Sequence, residues 1–380
     1  MKKRLLIGSI LVVAILVIGL VLVQNPTGVF VFNHSPSMLT LQKPKIGGLF
    51  GLTGYAAFAG EAGKNGFLLA IEDSNNFVDY SIEDTTSNVA NAVTSATKLT
   101  QIDKVIAVIG PEWVEFGEVV IPVAQKTSTV FISPWMTLEL NWAKSKDYIS
   151  MTPSDRGMQK KMLELIQSKG YSTIDVVYED NSFAIATNDT FKEELQKTNL
   201  KLINEIKTTP NQKDFRTEIT RLKNSSADCV FVVLAADSEQ ADFDKQLKEL
   251  GYTKSVFITF ARAESDAFLE STGEASNGVY YYTKKESARA GEFNQKYLAR
   301  FGKEPTALSA ATAFDATTLV IEAIKNGATS SSEIREYLIN KKNYEGYSGT
   351  IIFNSSGQRE TANDAVIKMI SGKNSTVVYE

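Results

Sequence analysis

Cysteine and histidine are nearly absent from this chain, which has one residue of each among 380. Cys229 lies in the apolar segment DCVFVVL and is expected to be a core residue, so disulfides do not stabilise the fold. His34 falls in a proline-containing segment that is predicted to be a linker. A metal cluster or a histidine-based catalytic triad needs more such residues than one chain provides here. We therefore predict a protein without catalytic residues, without a metal site and without a cofactor.

An excess of basic residues is also missing. Lysine and arginine total 40 against 44 aspartates and glutamates, and the net charge is −4. Three of the basic residues, Lys2, Lys3 and Arg4, stand at the N-terminus, so the remainder is more acidic still. This balance disfavours nucleic acid and anionic lipid as partners of the folded part.

Long apolar runs are absent except for residues 5–23, which contain no charge and follow the basic residues. The length is sufficient to span a bilayer, and the basic flank should remain in the cytoplasm. We predict a transmembrane signal-anchor over residues 1–23 and a linker over 24–44; a cleaved signal peptide is the alternative. Both interpretations place the rest of the chain outside the cytoplasm.

Short apolar strands alternate with helical segments along most of the chain, which predicts an α/β fold with parallel sheets. In residues 105–140, VIAVI and TVFIS are typical of strands, and 119–126 is apolar at helical spacing. We predict two doubly wound parallel-sheet lobes joined by a multi-crossover hinge. The N-terminal lobe is expected to comprise residues 45–153 and 283–343, and the C-terminal lobe residues 154–282 and 344–380.

Large rings follow two neighbouring strands of this predicted sheet. Trp113 comes after VIAVI, and Trp135 comes after TVFIS. In open α/β sheets, ligands bind outside the carboxyl ends of the strands, especially where strand-end loops converge. Both residues are therefore predicted to line a crevice that binds a small molecule.

Several segments, in this order along the chain, resemble those of the periplasmic leucine/isoleucine/valine-binding proteins of ABC transporters. They are KIGGLFGLTGYAAFAGEAGKNGFLLAIED, VIGP with IPVAQ and VFISP, TPSDRGMQ, YEDNSFA, KDFRTEITRLKNSSADCVF, LSAATAFDATTLVIEAI and YSGTIIFNSSGQ. The resemblance extends from about residue 45 to the C-terminus. It implies a type I periplasmic binding fold, a small-molecule ligand, and an ABC permease and ATPase on other chains.

The resemblance also implies ligand contacts in the first lobe. Thr137 matches the threonine that helps to hold a ligand carboxylate, and Val114 replaces the serine usual after the preceding strand. Trp135 stands where a small residue is usual, with Met136 beside it. Phe58 adjoins Ala59, the position where an aromatic residue is expected.

In the second lobe, Phe183 keeps the pocket aromatic of the YEDNSFA loop, whereas an alanine, Ala235 or Ala236, replaces the aromatic after strand 230–234. The acid that usually takes the ligand ammonium falls near Ala261. A buried ammonium without a carboxylate partner costs several kcal/mol. With Arg262 as a candidate anion partner, the pocket suits an aromatic or apolar carboxylate, an amide or an amino-acid-like compound.

Some residues of the predicted crevice could also belong to other kinds of site. The glycines at 47, 48, 51 and 54 match neither G-x-G-x-x-G nor a P-loop, although Thr53 lies where a turn can donate to an anion. Asp84, Glu112 and Glu115 flank the predicted crevice, and paired carboxylates would suit a hydrolase, but nothing in the sequence sets their separation. A ligand-sensing surface receptor that acts through a partner is the other alternative. We predict an importer's binding protein, and an extracytoplasmic hydrolase is the least favoured reading because no G-x-S-x-G elbow is present.

Overall fold

The computed structural model describes residues 43–136, 145–259, 266–360 and 365–380. The predicted membrane-spanning segment, most of the predicted linker and two predicted ligand contacts, Thr137 and Arg262, lie outside these ranges. Within them, no helix has both the length and the apolar character needed to cross a bilayer.

The described ranges contain fifteen strands. They are β1 (Lys45–Phe50), β2 (Asp79–Asp84), β3 (Ala107–Ile109), β4 (Val130–Ser133), β5 (Tyr148–Pro153), β6 (Thr173–Glu179), β7 (Lys201–Thr208), β8 (Cys229–Val233), β9 (Ser255–Ile258), β10 (Tyr280–Lys284), β11 (Tyr344–Gly346), β12 (Gly349–Ile351), β13 (Gln358–Arg359), β14 (Ala365–Ser371) and β15 (Asn374–Tyr379).

The α-helices alternate with these strands. They are α1 (Ala57–Asp73), α2 (Val89–Thr97), α3 (Val114–Thr127), α4 (Asp155–Ser168), α5 (Ser182–Leu195), α6 (Arg216–Asn224), α7 (Asp237–Glu249), α8 (Asp266–Thr272), α9 (Ala290–Phe301), α10 (Ser309–Lys325) and α11 (Ser331–Asn340). A π-helical turn, Lys98–Ile102, extends α2, and a 3₁₀ turn, Gly273–Ser276, follows α8.

The first sheet has six strands in the order β13-β5-β4-β3-β1-β2, and every pairing in it is parallel. Alternate residues of its strands face opposite layers. Ile46 and Phe50 of β1 pack with α10 residues, whereas Leu49 packs with residues of α2 and α3. Helices cover both faces of this sheet, which explains why its central strands β3 (AVI) and β4 (VFIS) are mostly apolar. It forms the first lobe.

The second sheet has seven strands in the order β15-β14-β10-β9-β8-β6-β7. The pairings from β7 to β10 are parallel, and β14 and β15 add an antiparallel edge. Separate apolar clusters lie on its two faces, including Val230 on one and Phe231 on the other. It forms the second lobe, so the predicted α/β fold with two lobes and mostly parallel sheets is confirmed.

The C-terminal segment supplies strands to both sheets. We expected all of residues 344–380 in the second lobe, but β13 pairs with β5 at the edge of the first sheet. Ser150 donates its backbone N–H to Gly357 O, and Ser154 donates to Arg359 O, at 2.9 and 3.0 Å. An edge strand leaves such groups unpaired, and β13 satisfies them. The other lobe boundaries stay a prediction.

The chain passes between the two sheets in three places. It leaves the first sheet after β5, returns after β10 through α9, and leaves again between β13 and β14. The helices α10 and α11, which follow α9, pack against the first sheet through residues such as Leu319 and Ile334. Multiple crossings of this kind are a suitable hinge between two lobes.

Candidate ligand-binding crevice

Four turns meet at one edge of the first sheet. They follow β1, β2, β3 and β4, whose order in the sheet is β4-β3-β1-β2. Because the strands are parallel, their carboxyl ends lie at the same edge. The turn after β1 leads into α1, the turn after β3 leads into α3, and Trp135 follows β4. This edge is where ligands bind in open α/β sheets.

An aromatic cluster covers this edge. We call Tyr55, Phe58, Trp113 and Trp135 the ring cluster. Trp113 contacts Tyr55, Phe58 and Trp135 with ring centroids 5.8, 6.1 and 5.8 Å apart, and Phe58 stands perpendicular to Trp135 at 5.9 Å. Tyr55 and Phe58 are nevertheless 57% and 47% exposed. A group of large, partly exposed rings is typical of a surface that binds an apolar partner or ligand.

The sequence predicted three members of this cluster and missed one. Phe58, Trp113 and Trp135 come together as neighbours, although they belong to three separate turns. Tyr55 was missed because it stands in the glycine-rich turn, where no periodicity singles it out. Its hydroxyl donates to Glu115 Oε1 at 2.5 Å. Partial burial and this carboxylate raise the pKa of the Tyr55 hydroxyl well above its usual range.

Thr53 and the turn after β1 are tied to Asp84. The Thr53 hydroxyl donates to Asp84 Oδ2 and the backbone N–H of Leu52 donates to Asp84 Oδ1, both at 2.8 Å. The backbone N–H of Thr86 also donates to Asp84 Oδ1. The carboxylate thus already accepts hydrogen bonds from the donors that were expected to face an anion. Thr53 stays a predicted ligand contact, with its hydroxyl proton directed to Asp84.

Val114 and Met136 differ in exposure. Val114 begins α3 and is partly buried beside the ring cluster. Met136 is 1% exposed, and a Cβ on Gly117 would lie 2.5 Å from its Sδ. Its backbone oxygen accepts from Ser150 Oγ at 2.7 Å. Met136 stays a predicted ligand contact, and its side chain packs in the core of the first lobe, where it fills the space that Gly117 leaves.

Glu112 is buried behind the rings, and sequence reasoning treated it only as an acid flanking the crevice. Its side chain is 2% exposed, and Oε2 accepts a long hydrogen bond of 3.5 Å from the backbone N–H of Gly51. Oε1 has no hydrogen-bond partner among the described residues. Burial, and secondarily the Asp84 carboxylate, raise the pKa of Glu112 to about 8. The usable signal in the sequence is its position, directly after the strand end and before Trp113.

The second lobe contributes Phe183 at the start of α5. Phe183 is partly buried and packs with apolar residues of both lobes, and Ala186 of the same helix is buried against the first lobe. Ala236 precedes α7, where its backbone N–H donates to Glu239 Oε2 and that of Ala235 donates to Glu179 Oε2. The structure thus places Phe183 at the junction of the lobes. Ala236 stands at a helix start, as expected for a residue after β8.

The described residues contain no group of three histidine, cysteine, aspartate or glutamate side chains arranged to hold a metal ion. Cys229 is buried in β8, and burial raises the pKa of its thiol. What remains is the ring cluster beside the buried Glu112 in the first lobe, with Phe183 of the second lobe packed nearby. The chain crosses between these two lobes several times. This arrangement defines a class of protein that binds a small molecule in a crevice between lobes.

The comparisons with known proteins agree with this class. Residues 43–373 match the sequence model of the periplasmic binding protein family. The chain belongs to the periplasmic binding protein family, so the family predicted from its motifs is confirmed. Membership implies an extracytoplasmic location.

Solved structures with a similar fold include receptors for amino acids and for an aromatic acid. The leucine-binding protein LivK of Thermotoga maritima is 20% identical, with a TM-score of 0.74 over 88% of this chain and 97% of that one. LivJ of Streptococcus pneumoniae, solved with isoleucine, is 23% identical, with a TM-score of 0.72 over 89% of this chain and 100% of that one. A solute-binding protein of R. palustris, solved with benzoate, is 15% identical, with a TM-score of 0.71 over 88% of this chain and 95% of that one. At these identities the similarity establishes the fold.

Proposed function

We propose that this chain is the solute-binding protein of an ABC importer. It captures a small molecule between its two lobes outside the cytoplasm and delivers it to a permease and an ATPase on other chains. The ring cluster is the main support for the proposal, because it exposes apolar surface at the carboxyl ends of three parallel strands, β1, β3 and β4. Family membership supports the transport role.

Closure around the ligand is supported by Phe183 and by the crossings between the sheets. Phe183 already packs with side chains of both lobes, so a ligand beside the ring cluster is within reach of the second lobe. A ligand that bridges the lobes stabilises the closed arrangement only through its differential affinity for that state. The proposed mechanism is therefore closure of the crevice by contacts that the ligand makes with both lobes.

The ligand class follows from the walls of the crevice. Rings favour an aromatic or branched apolar group, and a few polar groups set its orientation. We propose an aromatic or apolar carboxylate, an amide or an amino-acid-like compound. The structural neighbours bind leucine, isoleucine and benzoate, which is the same range of size and polarity.

A thermal-shift screen of the purified chain tests the proposal. The compounds are amino acids, aromatic acids, amides and short peptides. A ligand at 100 times its dissociation constant should stabilise the fold by about 2.7 kcal/mol. If no compound raises the melting temperature, the proposed function is wrong.

Trp135→Ala locates the binding site. Because Trp135 contacts both Phe58 and Trp113, we expect the variant to lower affinity for the best compound by at least about tenfold. Phe77→Ala is the matched control, since Phe77 is 39% exposed and precedes β2 at the opposite end of the strand from the crevice. Equal affinity of both variants and the unsubstituted chain would place the ligand elsewhere.

A further inference from the structure

Three buried polar atoms beneath the ring cluster have no hydrogen-bond partner among the described residues. They are Glu112 Oε1, Thr85 Oγ1 and Trp113 Nε1. Glu112 and Thr85 are 2% and 0% exposed. Buried polar groups are nearly always paired, so an unpaired one is free to accept a hydrogen bond from, or donate one to, a polar group that binds there. The three atoms belong to residues that follow the carboxyl ends of β2 and β3, at the same edge of the first sheet.

The turn residue Gly51 lies next to two of these residues, Glu112 and Thr85. Its backbone N–H lies 3.5 Å from Glu112 Oε2, and a Cβ on Gly51 would lie 3.3 Å from Thr85 Oγ1. On α1, a Cβ on Gly63 would lie 2.9 Å from Glu112 Oε1. A side chain at either glycine would therefore crowd the Glu112 carboxylate or the Thr85 hydroxyl.

The charges around Glu112 favour a positive group. The negative charge of Asp84 contributes to the raised pKa of Glu112. The charge of Glu112 in turn contributes to the raised pKa of the buried Tyr148 hydroxyl. Among the described residues, no lysine or arginine forms an ion pair with Glu112. A carboxylate in this position lacks a compensating cation, and an anionic ligand would be repelled by Asp84.

The rings complete the chemistry of the site. Aromatic faces attract organic cations, and a planar delocalised cation also stacks on them. Trp113 belongs to the ring cluster and is the next residue after Glu112. An acid with a free oxygen and a wall of rings thus stand at the same strand end.

We propose that Glu112, with Thr85 and the ring cluster, binds an N–H-bearing cationic group of the ligand, an amidinium or a primary ammonium attached to an apolar body. This inference rests on the proposed function and deepens it, because it assigns the acid that selects the ligand. The cation supplies the donor that Glu112 Oε1 lacks. The apolar body of the ligand lies against Phe58 and Trp135.

Three compounds of one shape test the inference: benzamidine, benzamide and benzoate, which are cationic, neutral and anionic. Their dissociation constants for the purified full chain are measured by isothermal titration calorimetry at pH 9, where Glu112 is ionised and benzamidine is still a cation. We expect benzamidine to bind at least about tenfold more tightly than benzoate, with benzamide between them, because only the cation pairs with a buried carboxylate. Tighter binding of benzoate than of benzamidine, or no detectable binding of benzamidine, overturns the inference.

Two variants assign the preference to the carboxylate. Glu112→Gln should weaken benzamidine binding at least about tenfold and leave benzamide within about threefold. Glu118→Gln, an exposed acid on α3, is the matched control and should change neither. Gly63→Ala, which fills the space beside Glu112 Oε1, should also weaken benzamidine binding if Glu112→Gln fails to fold. Unchanged benzamidine binding in a folded Glu112 or Gly63 variant refutes the assignment.

The outcome separates this inference from the proposed function. If the broad screen finds a ligand that Trp135→Ala weakens, but benzoate binds better than benzamidine, the chain remains a solute-binding protein and Glu112 is not its cation site. If no compound binds in either experiment, both proposals are wrong.

Discussion

Glu112 shows how one residue acquires its properties from the fold. The carboxylate is surrounded by protein, accepts one long hydrogen bond and lies near Asp84. Burial disfavours its charged form, so its pKa rises to about 8. An acid that costs stability in the free protein is typical of functional sites, where the cost is offset when a ligand binds.

The raised pKa predicts a pH dependence of stability. Between about pH 4.3, the ordinary glutamate value, and pH 8, the folded protein holds a proton that the unfolded chain releases. The free energy of unfolding therefore falls as pH rises through this window, by up to about 1.4 kcal/mol per pH unit from this group. Glu112→Gln removes the effect. We expect its stability relative to the unsubstituted chain to increase from pH 5 to pH 8 and to level off above that.

Urea unfolding of both proteins at several pH values measures this difference. Glu286→Gln, which removes an exposed carboxylate next to β10, reports the general effect of losing one negative charge. A stability difference for Glu112→Gln that stays constant from pH 5 to pH 8 would contradict the burial of a protonated acid.

At the scale of elements, close contact between α1 and α10 depends on a glycine. A Cβ on Gly66 of α1 would lie 2.0 Å from the backbone oxygen of Ala310 in α10. Ser309 strengthens the same contact by donating its hydroxyl to Ala59 O at 2.7 Å. Any side chain at position 66 must push the helices apart. The contact helps to hold α1, and with it Phe58, over the edge of the sheet.

Gly66→Ala should destabilise the protein by about 2 kcal/mol or more, since the clash is with backbone and the tightly packed helices cannot both adjust. Gly291→Ala is the matched control, because Gly291 lies within α9 and a Cβ there would meet no atom within 4 Å. That control should be neutral or more stable by up to about 1 kcal/mol. Thermal unfolding of the two variants tests this prediction. Similar melting temperatures would show that α1 and α10 can move apart without loss of stability.

At the scale of the whole molecule, Arg359 ties the crossings between the lobes together. Its side chain is 0% exposed, and its guanidinium donates to Met151 O, Ser348 O and Thr350 O at 2.8 to 3.2 Å. Lys284, at the end of β10, also donates to Ser348 O. The acceptors belong to β5 and to the β11–β12 hairpin, so one buried cation links segments next to each crossing.

Arg359→Met should destabilise the protein by about 3 kcal/mol or more, because the carbonyl oxygens of Met151 and Thr350 lose the hydrogen bonds that the buried guanidinium donates. Arg216→Met is the control. Arg216 is 54% exposed in its surface ion pairs with Asp214 and Glu249, which should contribute about 1 kcal/mol or less. Urea unfolding measures both, and equal losses would show that Arg359 does not hold the crossings together.

Much of the fold is encoded locally. Apolar runs and helical spacing predicted the two-lobed α/β class, and the predicted strand TVFIS corresponds to β4 at Val130–Ser133. Strand β5 was not predicted, although all six of its residues are buried. Its sequence, YISMTP, alternates polar and apolar residues, and only pairing with β4 and β13 on its two edges encloses it. The pairing with β13 joins residues about 200 positions apart, such as Ser150 and Gln358, and local sequence patterns do not record it.

The candidate site, like the fold, was predicted only in part from the sequence. The sequence by itself determined the family and the rings at strand ends, because strand endings and parallel topology follow from local apolar patterns. Only the tertiary structure decided that Phe58, Trp113 and Trp135 touch one another, that Met136 is core, and that Glu112 is buried with a free oxygen. The physical reason is that burial and hydrogen-bond pairing depend on neighbours distant in sequence. For Glu112 those neighbours are Gly51, Gly63 and Asp84.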